Sequence, residues 1–129
     1  LIADELLEDN ARTIVGPVIS ERCKPELRNH TIETAGVLNK AGVPMCICTD
    51  HPVVPEQYLP LSAGLAVRGG LDRDEALKAI TIYPAQITGI ADRVGSIEVG
   101  KDADIVIFSG DPLSVCDTPD MVIVNGTVI

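Results

Sequence analysis

The sequence predicts an α/β protein in which a parallel βαβ unit is followed by a small antiparallel sheet. Two short apolar runs, at residues 13–15 and 43–49, flank a segment whose apolar residues recur at helical spacing. Strand, helix and strand within about forty residues are typical of a βαβ unit, whose strands lie parallel. Beyond residue 92, strand-like runs alternate with glycine-containing turns. We therefore divide the chain into an α/β part, residues 1–92, and a strand-rich part, residues 93–129.

In the first half of the chain, apolar runs predict the helices and strands, and glycines and prolines mark where these end. Thr13-Ile14-Val15 is a buried strand closed by Gly16-Pro17, and Thr31 is a candidate N-cap for the next helix, which Gly42 ends. Pro52 ends the second strand soon after Asp50. The predicted elements are a helix over 2–10, a strand over 13–15, a helix over 31–41 and a strand over 43–49.

The second half begins with helices and ends with strands. Asp72 and Glu75 have the spacing of a capping box, which predicts that a helix begins there, and Tyr83-Pro84 interrupts it. Asn125-Gly126 is the favoured pair for a two-residue hairpin turn. The predicted elements are a helix over 56–67, a helix from 72 with a short continuation through 87, and strands over 95–99, 103–108, 121–124 and 127–129.

Composition excludes several classes of protein. The 129 residues allow a sizeable core but not a complete (β/α)8 barrel, which needs about 250 residues. A net charge of −9 argues against nucleic acids and anionic membranes as partners. The sequence contains neither a signal-peptide pattern nor a run of about eighteen apolar residues, so we expect a cytoplasmic protein. Its cysteines are expected to be reduced thiols rather than disulfides or zinc ligands: Cys23, Cys46, Cys48 and Cys116.

Several spaced motifs now identify a family resemblance over roughly residues 13–129. The run GSIEVGKDADIVIF at 95–108, GDPL at 110–113 and VIVNG at 122–126 together resemble the C-terminal signature of the amidohydrolase superfamily. Thr81, Pro84-Ala85 and Gly89 match the stretch that precedes this signature. Upstream, residues 42–52 resemble the barrel strand that ends in the metal-site aspartate of that superfamily.

The resemblance implies a (β/α)8 barrel beside a small β-sandwich, with one or two divalent metals, usually zinc, activating water to hydrolyse C–N bonds. The superfamily's H-x-H pair is absent, and Asp50 alone matches a metal ligand. The resemblance therefore implies that the chain comprises the last two βα units of the barrel and the C-terminal sandwich strands. The missing initiator methionine and the short final strand lead us to expect a piece of a longer enzyme.

Asp50 is the candidate catalytic residue and metal ligand. It follows an apolar strand at the point where barrel enzymes place catalytic groups. A carboxylate there can bind a metal, accept a proton from the attacking water and pass that proton to the leaving nitrogen. The alternative is an ordinary aspartate in an Asx turn before Pro52. Strand alternation predicts that Cys48 and Cys46 point to the same side as Asp50.

Two further residues are candidates for contacting substrate. His51 adjoins Asp50, and Gly16 ends the neighbouring predicted strand, so both belong to loops at the same end of the sheet. His51 is otherwise an ordinary loop histidine. His30 precedes a helix and is expected to be an exposed loop or capping residue.

Three functions remain open at this point. The first is the C-terminal portion of a metal-dependent amidohydrolase that acts on an amide, cyclic amide or dipeptide and resembles the imidazolonepropionase-like and prolidase-like members. This portion alone is expected to be inactive and to hold no tight metal, since one carboxylate is too few ligands. The second is a non-catalytic α/β interaction module, and the third a small acidic binder of divalent metals. Because unpaired strand edges associate, we expect self-association or pairing with the missing N-terminal half of the barrel.

Overall fold

The computed structural model describes residues 2–22 and 24–129. The expectation of a reduced thiol at Cys23 lies outside the described residues. The helices are α1 (Ala3–Glu8), α2 (Thr34–Lys40), α3 (Leu59–Arg68), α4 (Arg73–Ala79) and α5 (Ile82–Thr88), with single 3-10 turns at Pro25–Leu27 and Glu56–Tyr58. The strands are β1 (Thr13–Val15), β2 (Met45–Ile47), β3 (Ile105–Ile107), β4 (Met121–Val124) and β5 (Thr127–Val128).

The predicted βαβ unit is confirmed. Strands β1 and β2 pair in parallel, with Thr13 opposite Met45 and Val15 opposite Ile47. Two backbone hydrogen bonds continue the ladder: Thr13 N–H donates to Pro44 O at 2.9 Å, and Cys48 N–H donates to Val15 O at 2.9 Å. Because the strands are parallel, both leave the sheet at the same edge.

With one Phe, two Tyr and no Trp, the composition predicts a core of aliphatic residues and alanines, and the structure confirms this prediction. All three residues of β2 are buried, and the helices pack around this strand. Four alanines on α3 and α4 have exposures of 0–1%, which lets the two helix backbones approach closely: Ala63, Ala66, Ala76 and Ala79. None of the helices among the described residues is long and apolar enough to cross a bilayer.

Of the two predicted helix caps, one is confirmed and one is wrong. Asp72 caps α4, because its Oδ1 accepts hydrogen bonds from the backbone N–H groups of Asp74, at 2.9 Å, and Glu75, at 3.2 Å. Thr31 does not cap α2, which begins only at Thr34. The Thr34 hydroxyl instead donates to Thr31 O at 3.0 Å, so Thr31 forms part of a turn before the helix.

The strand predicted over residues 95–99 is wrong. This segment contains bends and a turn, and Ile97 and Val99 are 84% and 108% exposed. Ser96 donates to the Glu98 carboxylate and accepts from Lys101, so side chains within the segment bond to one another. With these local contacts and no neighbouring strand among the described residues, the β-branched side chains are not enough to form a strand.

The remaining strands form the predicted antiparallel sheet, in the order β3-β4-β5. Asn125 and Gly126 join β4 to β5, and both have positive φ, 50° and 78°, as a type I′ turn requires. The predicted hairpin is therefore confirmed. Ile105 pairs with Ile123, which pairs in turn with Val128, so one face of this sheet is lined by aliphatic side chains.

The loop between β3 and β4 is anchored to the helices. Leu113 is 8% exposed and belongs to the core cluster. Its carbonyl oxygen lies 2.5 Å from where a β-carbon on Gly64 of α3 would be, so only glycine allows this approach. The Asp111 carboxylate accepts hydrogen bonds from the Arg73 guanidinium and from Leu113 N–H. These contacts hold the strand-rich part against α3 and α4.

A carboxylate links three helices. Glu75 of α4 accepts hydrogen bonds from Lys78 Nζ at 2.8 Å, Tyr83 OH at 2.7 Å and Asn39 Nδ2 at 3.1 Å. The hydrogen bond from Lys78 has the largest effect on the pKa of the Glu75 carboxyl. Together with those from Tyr83 and Asn39, it holds this pKa below its usual value. Glu75 therefore connects α2, α4 and α5, and it does so in its ionised form.

We expect Glu75→Gln to destabilise the protein by about 1–3 kcal/mol at neutral pH, because the donors lose a charged acceptor. A carboxyl whose pKa is depressed on folding stabilises the protein above its unfolded pKa, and this contribution is lost as the pH falls. The difference in unfolding free energy between the two proteins should therefore shrink below about pH 4.5. Urea denaturation at pH 7 and pH 3.5 measures this difference in unfolding free energy. Glu8→Gln on α1 is the surface control. A difference that does not change with pH would contradict the prediction.

Candidate active site

Two loops meet at the edge of the parallel sheet where β1 and β2 end. Gly16 and Pro17 follow β1, and Asp50, His51 and Pro52 follow β2 after Cys48 and Thr49. Both prolines are preceded by cis peptide bonds. In open α/β sheets and in barrels, ligands bind at the carboxyl ends of parallel strands. This edge is therefore the candidate active site.

The Asp50 side chain faces solvent and takes part in none of the side-chain hydrogen bonds or ion pairs among the described residues. Its backbone has a φ of 55°, which is left-handed and uncommon outside glycine, although aspartate tolerates it. The turn is closed by backbone groups instead: Val53 N–H donates to Asp50 O at 2.8 Å, and Val54 N–H to Thr49 O at 3.3 Å. The carboxylate is thus not engaged in an Asx turn and is available to bind a ligand.

Gly16 lies in close contact with the strand that leads to Asp50. A β-carbon at Gly16 would lie 2.6 Å from Cys48 Sγ and closer still to the Cys48 carbonyl oxygen. Gly16, Pro17 and His30 also contribute to the lining of a cavity of about 250 Å³ beside the end of β1. The contact with Cys48 therefore requires a residue without a side chain at position 16. Gly16 also borders open space at this edge of the sheet.

Cys46 is buried in β2, and Cys48 follows this strand and is half-buried. Burial raises the pKa of the Cys46 thiol, and the nearby Cys48 raises it further. Cys46, Cys48 and Cys116 are free thiols. Asp50 has a left-handed φ, so the extended backbone ends at this residue. That its side chain points to the same side as Cys48 and Cys46 stays a prediction.

The two histidines differ in their surroundings. His51 is exposed beside Asp50. His30, which we expected to be exposed, is half-buried, and its Nε2 lies 2.8 Å from Pro17 O. With Nε2 protonated, His30 donates to this carbonyl and ties the start of the loop after β1 to the segment that precedes α2. This tether had no signal in the sequence, since the two residues are thirteen positions apart in an irregular loop.

Metal binding depends on the number of donors. Among residues 2–22 and 24–129, His, Cys, Asp and Glu side chains form no group of three or more that could hold a metal ion. Asp50 offers a single carboxylate whose oxygens are not bonded to other described side chains. It fits the role of one ligand, and a catalytic zinc site needs about three protein ligands.

Comparison with known proteins decides the family. The sequence profile described as "Amidohydrolase family" matches residues 5–129. The chain belongs to the amidohydrolase family. Members of this family generally use divalent metals.

The similar proteins agree with this assignment. A crystal structure of an amidohydrolase from Thermotoga maritima superposes with a TM-score of 0.94 at 39% identity, over 99% of this chain and 33% of that one. A structure described as a putative prolidase from Bifidobacterium longum gives a TM-score of 0.67 at 30% identity, over 78% of this chain and 26% of that one. An imidazolonepropionase from Thermoplasma acidophilum is 41% identical over 70 residues, 53% of this chain and 17% of its own. The chain thus spans a third or less of each.

Proposed function

We propose that this amidohydrolase chain provides the C-terminal two βα units of a (β/α)8 barrel, within residues 1–92, and sandwich strands, within 93–129, of an enzyme that hydrolyses C–N bonds. One observation carries the proposal: at the carboxyl end of β2, in a chain of this family, the exposed Asp50 carboxylate is not bonded to any other described side chain. The parallel β1-β2 pair and the separate antiparallel sheet support the division.

Asp50 would hold one position on a divalent metal, with zinc as the proposed ion and the other ligands supplied from beyond this chain. A divalent metal held there would supply an activated water molecule as the nucleophile. The Asp50 carboxylate would accept a proton from that water. It then delivers that proton to the nitrogen that leaves. Among residues 2–22 and 24–129, no side-chain hydrogen bond or ion pair competes for the Asp50 carboxylate, which is therefore free for both tasks.

Gly16 and His51 would contact the substrate from either side of Asp50. Gly16 borders the cavity beside β1, and His51 is exposed at the head of the following loop. The proposed substrate is a small amide, cyclic amide or dipeptide, in keeping with the imidazolonepropionase and prolidase likenesses. The acidity of the chain disfavours nucleic acid as a partner. The proposed location is the cytoplasm, where thiols such as Cys46, Cys48 and Cys116 stay reduced.

Strand edges support the proposal that this chain works only with further strands. Among the described residues, β1 pairs with β2 alone, and Ile14 is 60% exposed. In the antiparallel sheet Val106 and Val128 are 50% and 60% exposed. Exposed apolar edges associate, so we propose that the remaining barrel strands, or a second copy, cover them. The 129-residue chain alone is then expected to be inactive.

The test is a substrate panel with the natural protein. After metal removal and reconstitution with zinc, manganese or magnesium, hydrolysis is measured as ring opening of cyclic amides and as the amino acid freed from Xaa-Pro dipeptides and linear N-acyl amino acids. We expect turnover of at least one class and its loss on chelation. Absence of turnover with every metal, in a folded preparation, would count against the hydrolase function.

A further inference from the structure

A second cavity, of about 490 Å³, lies at the opposite end of the parallel strands from Asp50. Arg12 precedes β1 and Pro44 precedes β2, and both residues line it. Its volume lies within the range of small-molecule sites. The proposed catalytic chemistry uses nothing at this end, so any ligand here is separate from the hydrolysed substrate. We call it the amino-end cavity.

The apolar wall of the amino-end cavity comes from the core. Val43 and Met45 are each 3% exposed, and Ile87 of α5 is half-buried beside them. Ile87, together with the small exposed parts of Val43 and Met45, offers an apolar surface for a branched hydrocarbon group of a few carbons. The wall is rigid, because Met45 is in the ladder with Thr13 and Val43 N–H donates to Leu38 O at 3.0 Å.

The charge in the cavity is positive. Of the nine residues that line it, all of them among those described, only Arg12 is charged. Arg12 Nη1 donates to the carbonyl oxygen of Gln86 at 3.3 Å, which fixes the guanidinium at the rim. The guanidinium has further N–H donors, and its fork matches a carboxylate. The exposed Gln86 amide lies on the same rim and adds a neutral donor.

The polar residues on the other side of the cavity are held in place by Glu75. Tyr83 OH and Asn39 Nδ2 both donate to Glu75 Oε2, at 2.7 and 3.1 Å. Asn39 therefore keeps its carbonyl oxygen as an acceptor for a ligand N–H or O–H. The Glu75 charge is compensated by Lys78 Nζ at 2.8 Å, so an anion at Arg12 meets little repulsion from it.

We propose that the amino-end cavity binds a small aliphatic carboxylate. The carboxylate pairs with Arg12, and its branched chain lies on Val43, Met45 and Ile87. A hydrogen-bond donor on the ligand, as in an α-hydroxy or α-amino acid, adds a contact to Asn39. The site lies away from the catalytic edge, and the inference holds whether or not the proposed hydrolysis is correct.

The chain supplies its own spectroscopic reporter. This stretch contributes two methionines, Met45 in the cavity wall and Met121 in β4 of the antiparallel sheet. The natural protein, labelled with ¹³C at the methionine methyl groups, is titrated with isocaproate, and Met45→Leu and Met121→Leu identify the signals of these two residues among all its methionines. We expect a saturable shift of the Met45 methyl at about millimolar ligand, with Met121 unmoved. A Met45 signal that stays in place would overturn the proposal.

Two comparisons establish the role of charge. Arg12→Gln should weaken the binding of isocaproate about tenfold, whereas Arg68→Gln, an exposed arginine at the end of α3, should leave it unchanged. The uncharged alcohol 4-methylpentan-1-ol, which has no C–N bond to hydrolyse, should produce no saturable shift at the same concentrations. Equal binding of the alcohol, or full binding by Arg12→Gln, would show that Arg12 does not recognise a carboxylate and would refute the site as proposed. Because the readout is binding, failure of the hydrolase assay leaves this result unaffected.

Discussion

Replacement of Asp50 by asparagine should lower kcat of the natural protein by roughly 10³-fold or more, because asparagine can neither accept the proton of the attacking water nor offer an anionic ligand to a metal. The fold should survive. Asp50 is exposed, its side chain makes no hydrogen bond or ion pair among the described residues, and asparagine tolerates the φ of 55°. Unfolding free energy should therefore stay within about 0.5 kcal/mol of the parent.

The measurement pairs steady-state kinetics with metal analysis and denaturation. Asp92→Asn, which removes an exposed carboxylate far along the chain, is the matched control and should leave kcat unchanged. If Asp50→Asn retains kcat and metal content, Asp50 is neither a ligand nor a proton carrier. If it unfolds the protein instead, the carboxylate has a structural role that its surroundings do not show. A separate fall in metal content would distinguish the ligand role from proton transfer.

The sequence predicted the parts of this fold that depend on short-range pattern. The pairing of β1 with β2 followed from two apolar runs around a helical spacing, and the β4-β5 hairpin from Asn125-Gly126. Asp72 was recognised as a cap because its partners are two and three residues away. Residues 95–99 were misassigned since β-branched residues form a strand only beside another strand, and none lies there among the described residues.

The catalytic candidate of the site could be predicted from the sequence, but the contacts that hold the surrounding loops in place could not. Asp50 was found from its place after an apolar strand and from the family motifs around it. The hydrogen bond of His30 to Pro17 and the close approach of Gly16 to Cys48 depend on how distant segments pack. The left-handed φ of Asp50 likewise has no local signature, since aspartate adopts it only where the surrounding turn imposes it. Composition alone indicated the acidity and the aliphatic core, neither of which locates a site.

Substitution of Gly16 by alanine is expected to damage both stability and activity, because the added β-carbon would overlap Cys48 Sγ, at 2.6 Å, and its carbonyl oxygen. The oxygen belongs to the backbone, so β1 and β2 must separate, at a cost of about 3 kcal/mol. Gly89→Ala is the control. Gly89 has a φ of 78°, but no atom of the described residues lies within 4 Å of the new carbon, so the substitution should cost only about 1–2 kcal/mol. Adding Cys48→Ala to Gly16→Ala should restore part of the lost stability, because it removes the sulfur but not the oxygen. Denaturation of the parent, the two single variants and the double variant measures their free energies of unfolding. A Gly16→Ala protein as stable as Gly89→Ala would show that the strand ends adjust without separating.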